Sequence, residues 1–157
     1  MQSILALCAL ALVGLLVINV KSDGAQTEGG MIRNEVESLA LLAAVDKLDW
    51  AATLPFDARA DVTTAAGLTD STAFGGRSYA AVADLDDLHR LTRTETVTTS
   101  DGALPLGATM AVAYVARTGT TYAFSPNKTF LKRLTVTVEG PGRARVAVSR
   151  IYPYRPL

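Results

Sequence analysis

Leu131-Lys-Arg-Leu-Thr-Val-Thr-Val-Glu-Gly-Pro-Gly-Arg-Ala-Arg-Val-Ala-Val-Ser-Arg-Ile151 reads as two alternating runs separated by a glycine-proline turn. Leu134, Val136 and Val138 make one set of alternate positions apolar, while Arg133, Thr135 and Thr137 make the other polar. A side-chain period of two belongs to strands, and Val and Thr favour them. Glu139-Gly-Pro-Gly-Arg143 carries the turn residues of a hairpin, so the runs 131–138 and 143–151 are expected to pair antiparallel. Such a sheet has one wet side and one dry side, and the dry side needs a cover.

Outward from this hairpin, Arg93-Thr-Glu-Thr-Val-Thr98 and Met110-Ala-Val-Ala-Tyr-Val-Ala116 have the same character and extend the sheet to about 92–152. Residues 56–91 read as irregular, with turns at Gly67, Gly75 and Gly76. Upstream the period becomes helical. Ile32, Val36, Leu39, Ala43 and Trp50, widened by Leu42, Val45 and Leu48, form an apolar stripe, while Glu35, Glu37, Asp46, Lys47 and Asp49 form a solvated face. Glu35 and Glu37 suit the start of the helix dipole. Leu54-Pro55 ends the run, because the residue before proline is pushed out of the helical region. The helix expected over 31–54 is the available cover for the sheet.

Residues 22–30, Ser-Asp-Gly-Ala-Gln-Thr-Glu-Gly-Gly, read as a flexible linker, and Gly24, Gly29 and Gly30 mark a helix break. Before it lies Met1 to Val20, without a charge until Lys21. Twenty helical residues reach about 30 Å, the thickness of a hydrocarbon core. A secretory signal would open on Lys or Arg and close on small residues. No positive charge precedes Ile4, and Val17-Ile-Asn-Val-Lys21 is bulky. The segment 1–21 is therefore expected to persist as an assembly or membrane helix, with a short basic leader already removed ahead of Met1.

After Val20 about 137 residues remain, enough for one modest domain with its own core. The single cysteine, Cys8, lies within the apolar run, permits no internal disulfide and behaves as a small hydrophobe. Net charge is zero, yet residues 1–87 hold twelve acids against five bases and residues 88–157 hold three against ten. Either copies of the chain pair through this asymmetry, or the signs interleave on one folded surface. The bases are strand-spaced with few aromatics among them, so no nucleic acid is expected.

Enzymatic chemistry has little to build on. His89 is the only histidine, in a charged setting that suits solvation or capping, and no Cys/His cluster can bind zinc. Asp84, Asp86 and Asp87, with Asp101, are oxygen-rich as a calcium site is, but lack the loop glycine and closing glutamate of an EF-hand. Turn capping accounts for them, and neither a metal nor a cofactor is expected. Asn127-Lys-Thr129 is a glycosylation-type sequon on a loop.

Three further stretches carry a family resemblance. Glu37-Ser-Leu-Ala-Leu-Leu-Ala-Ala-Val-Asp-Lys-Leu-Asp-Trp-Ala-Ala-Thr-Leu-Pro-Phe-Asp57 looks like the Ala-rich helix and closing turn of minor pilins. Ala83-Asp-Leu-Asp-Asp-Leu-His-Arg90 is similar to an acidic segment of prepilin-like proteins, and Lys132-Arg-Leu-Thr-Val-Thr-Val138 to their penultimate strand. In this order, behind an apolar N-terminal segment, they resemble the type IV pilin and pseudopilin family. The resemblance implies a pilin-like α+β fold: a long hydrophobic N-terminal helix broken at 22–30, then a globular head over 31–157 with its second helix packed on an antiparallel sheet. It implies a non-enzymatic subunit of an extracellular filament, held in the inner membrane before assembly and handled by a prepilin peptidase and assembly machinery. Met1, Ile4, Leu5, Ala6, Ala9, Leu12, Gly14 and Leu16 would pack the filament core, small residues bringing copies of the helix close. Leu5 stands where the family carries a glutamate. A minor pseudopilin of a type II-like secretion system and a single-span membrane-anchored binding domain are the alternatives.

Overall fold

The computed structural model describes residues 33–58, 62–99 and 102–154. The chain divides into two compact units, Met1–Val36 and Glu37–Leu157; the second holds the whole β-sheet and everything from Glu37 on. Helix α1 occupies 33–51. Five strands come after it: β1 (Thr92–Thr99), β2 (Gly102–Thr118), β3 (Thr121–Phe124), β4 (Leu131–Glu139) and β5 (Arg145–Pro153). Every pairing is antiparallel, in the order β1-β2-β4-β5, with β3 on the far end of β2.

These elements correct the fold expected from the sequence. Among the described residues there is one α-helix, starting at 33, with short 3-10 turns and a five-stranded sheet, so a long N-terminal helix is no part of the fold they show. The hydrophobic segment 1–21, its packing residues and the glycines of 22–30 lie outside the described residues. α1 itself stops at 51, three residues short of expectation, because its last carbonyls turn to other donors. Thr53 and Leu54 close 3-10-type bonds to Trp50 and Ala51, and the Leu48 carbonyl also accepts the Tyr152 hydroxyl at 2.6 Å.

The apolar stripe of α1 lies largely where the sequence puts it: Val36 and Leu48 are buried, and Leu39, Ala43 and Trp50 pack against the core. Ala40, Ala44, Leu48 and Ala51 enter the core, while Leu42 faces out at 67% exposure and Lys47 is buried. Three alanines at helical spacing let the helix axis approach the sheet closely. Lys47 remains charged by pairing with Glu95 at 2.8 Å and Asp46 at 3.0 Å.

β4 alternates as its sequence requires, burying Lys132, Leu134, Val136 and Val138. β2 is far longer than expected, because its successive parts serve three partners: β1 over Gly102–Thr109, β4 over Gly107–Tyr114 and β3 over Val115–Thr118. β5 starts at Arg145 rather than 143, since Gly142 and Arg143 take positive φ in the connecting turn. The stretch 56–91, irregular as expected, is no bystander. Its short 3-10 turns and the segments between them bring Phe56, Leu68, Phe74, Leu85, Leu88 and Leu91 into the core shared with α1 and the sheet. The opposite charges of the two halves meet inside this unit, at Arg150–Asp49 and Lys132–Asp86.

Candidate functional site

Lys132 points from β4 into the core with no exposure at all. An ammonium removed from water needs partners on several sides. Its Nζ donates to the Phe56 carbonyl at 2.6 Å, meets Asp86 Oδ1 at 2.6 Å and lies 3.7 Å from Asp57 Oδ2. The rings of Phe56, Phe74 and Tyr114 surround it, with centroids 4.1, 5.3 and 5.3 Å from Nζ.

Local sequence builds each wall. Pro55 halts the exit from α1, and its carbonyl accepts the Leu85 N–H at 3.0 Å, which brings segment 84–87 beside segment 55–57. Asp84 Oδ1 accepts from the N–H groups of Asp86 and Asp87, fixing the 3-10 turn Asp86–Leu88. Asp57 is held at both oxygens, by the Thr69 N–H at 2.8 Å and the Thr69 hydroxyl at 3.0 Å. Tyr114 donates its hydroxyl to the Thr69 carbonyl at 2.7 Å, so one threonine positions both a carboxylate and a ring.

Asp86 differs from these. Its Oδ2 has no hydrogen-bond partner, and Oδ1 meets Nζ outside hydrogen-bond geometry. Burial pushes its carboxyl up to about 7, against the pull of the Lys132 charge, and the nearby Asp84 and Asp57 push the same way. Three carboxylates facing one ammonium form an excess of negative charge that a proton on Asp86 reduces.

Asp57, Asp84 and Asp86 each offer an oxygen within 4.8 Å of the others, the kind of group that can hold a metal ion. Here the Lys132 ammonium supplies the cation, in contact with two of the three. The acidic group read from the sequence is accordingly rearranged. Asp87 turns to Arg77 at 3.0 Å and the Ala83 N–H at 2.9 Å, Asp57 takes its place, and Asp101 lies outside the described residues. Asn127 is exposed on the loop between β3 and β4, while the hydroxyl of its sequon Thr129 donates to the Val115 and Leu131 carbonyls. In the sequence Lys132 is marked only by its parity, since 132 shares the dry face with 134, 136 and 138.

His89 follows the acidic turn, and its Nδ1 accepts the Val112 N–H at 3.1 Å. Burial first, and the Arg90 charge second, hold the imidazole below its ordinary value. A histidine depressed in the folded state binds fewer protons there than when unfolded, so its contribution is complete above about pH 6.5 and is lost as pH falls through the lowered native value. Protonation also removes the lone pair that Val112 uses. Stability measured from pH 7.5 to 5 should decline on this account, and His89→Asn, which keeps an acceptor near the Nδ1 position, should remove that part of the slope.

No family model, no curated protein and no solved structure matches this chain.

Proposed function

We propose that this chain is a structural subunit of an extracellular filament of the type IV pilus kind, polymerising through its apolar segment 1–20. The observation that carries the reading is α1. It buries Ala40, Ala44 and Leu48 inward yet leaves Leu41 and Leu42 at 47% and 67% exposure on the other side. Two adjacent exposed leucines, set among Ser38, Asp46 and Asp49, form a small apolar patch that a neighbouring chain can cover. In the sequence α1 follows a twenty-residue uncharged segment that must also be kept from water. Neighbouring copies of the chain answer both demands, because a heterologous contact that does not close repeats into a helical polymer. The three stretches that resemble pilins support the same reading: their Asp57, Asp86 and Lys132 meet in one buried cluster.

The test is electron microscopy of material sheared from the cell surface, with mass spectrometry of its main band. Filaments built of this chain are expected. Leu41→Ser with Leu42→Asp should abolish them while leaving the folded unit intact. Fully burying one leucine is worth about 1.5–3 kcal/mol, roughly tenfold or more in the affinity of each contact. Recovery of the chain only from the membrane fraction would overturn the filament reading in favour of a minor pseudopilin or a membrane-anchored binding domain. Filaments unaffected by the double substitution would remove α1 from the contact.

A further inference from the structure

We propose that Lys132 Nζ and the Asp86 side chain condense to an amide, cross-linking β4 covalently to the turn at 84–88. The inference goes beyond the filament reading and stands independently of it. Amine and carboxyl already touch, at 2.6 Å, and they do so without hydrogen-bond geometry. Both are nearly or wholly out of water, at 0% and 3% exposure. The Phe56 carbonyl takes one Nζ hydrogen and orients the amine. Asp84 fixes the backbone of Asp86 through two N–H groups. The three aromatic rings around Nζ exclude the water that would reverse the reaction.

The step balances without an oxidant or any co-reactant. One proton moves from Nζ to Asp86 Oδ1, the oxygen it touches, leaving an amine lone pair beside a carboxylic acid. Burial favours that acid form. The lone pair attacks Cγ, and the tetrahedral carbon then carries Nζ, an oxyanion at Oδ2 and a hydroxyl at Oδ1. Asp57, 3.7 Å from Nζ, accepts the second Nζ proton and passes it to the departing hydroxyl. The Cγ–Oδ1 bond breaks, Oδ2 regains its double bond, the Nζ–Cγ bond remains, and one water leaves. Asp57 suits the relay because Thr69 holds both its oxygens in place. Asp86 suits the electrophile because neither of its oxygens has a hydrogen-bond partner to release.

The experiment is tryptic digestion of the denatured full chain, followed by mass spectrometry. Trypsin cuts after Arg77, Arg90, Lys128 and Arg133 but cannot cut after an acylated Lys132. The expected product is a branched peptide, residues 78–90 joined to residues 129–133, lighter than the two together by one water. Asp57→Asn keeps both reacting groups but removes the base, and should return the linear peptides. Unlinked 78–90 and free 129–132 from the parent chain would overturn the proposal, whatever the variants do. A branched peptide persisting in Asp57→Asn would overturn the relay assigned to Asp57.

Discussion

Lys132→Met lowers the unfolding free energy by about 3–5 kcal/mol, the cost of leaving buried carboxyls without their cation. Methionine matches the length of the lysine stem and can lie among Phe56, Phe74 and Tyr114, so little of the loss comes from packing. What remains is Asp86, at 3% exposure, and Asp57, at 6%, facing each other with no ammonium between them. Adding Asp86→Asn to Lys132→Met should recover part of the loss, since one unpaired acid is then gone. Residues in contact couple by about 0.5–3 kcal/mol, and the recovery should fall in that range. Trp50, the only tryptophan, stacks on Tyr79 at 4.9 Å and reports the transition by fluorescence. In a chain that carries the amide, Lys132→Met also opens a loop of about 46 residues, worth roughly 4 kcal/mol by the entropy of cross-linked chains. The free-amine form shows only the smaller loss. Urea unfolding of parent and variants therefore separates an ionic cluster from a covalent one.

Much of the sheet was legible because strand periodicity is a local property. The sequence 131–138 alternates residue by residue, and β4 buries the matching positions. The full length of β2 was not legible. Gly102-Ala-Leu-Pro-Leu-Gly-Ala-Thr109 shows no clean alternation, and it becomes a strand because β1 pairs with all of it, from Thr99↔Gly102 to Thr92↔Thr109. The site was legible only in fragments. An aspartate after Leu-Pro-Phe, an acidic turn and a lysine at a dry-face parity each read as ordinary. Their meeting depends on the Leu85 N–H to Pro55 carbonyl bond, a contact between segments with no pattern of their own. The helix stripe was legible at Leu39, Ala43, Leu48 and Trp50 but not at its edges, where the closeness of the sheet selects Ala40 and Ala44 over Leu42.

Gly75→Ala should destabilise the unit by roughly 3 kcal/mol, combining a left-handed backbone penalty of about 1–2 kcal/mol with overpacking of about 1–3 kcal/mol. Gly75 has φ 80, and a Cβ built there would lie 2.2 Å from the His89 carbonyl oxygen. That oxygen belongs to the backbone, so no side chain can swing away to make room. The strain also reaches the buried cluster, because the Gly75 N–H donates to the Asp86 carbonyl at 2.9 Å. Displacing residue 75 therefore displaces Asp86, and with it the carboxyl that faces Lys132. Gly76→Ala is the internal control. Gly76 also has positive φ, 88, but nothing lies within 4 Å of a Cβ there, so it should show the backbone penalty alone. Equal losses for the two variants would mean that the approach to His89 carries no energy. A larger loss at 75, with weaker cross-linking between 86 and 132, ties the geometry of the cluster to a glycine that touches neither reacting side chain.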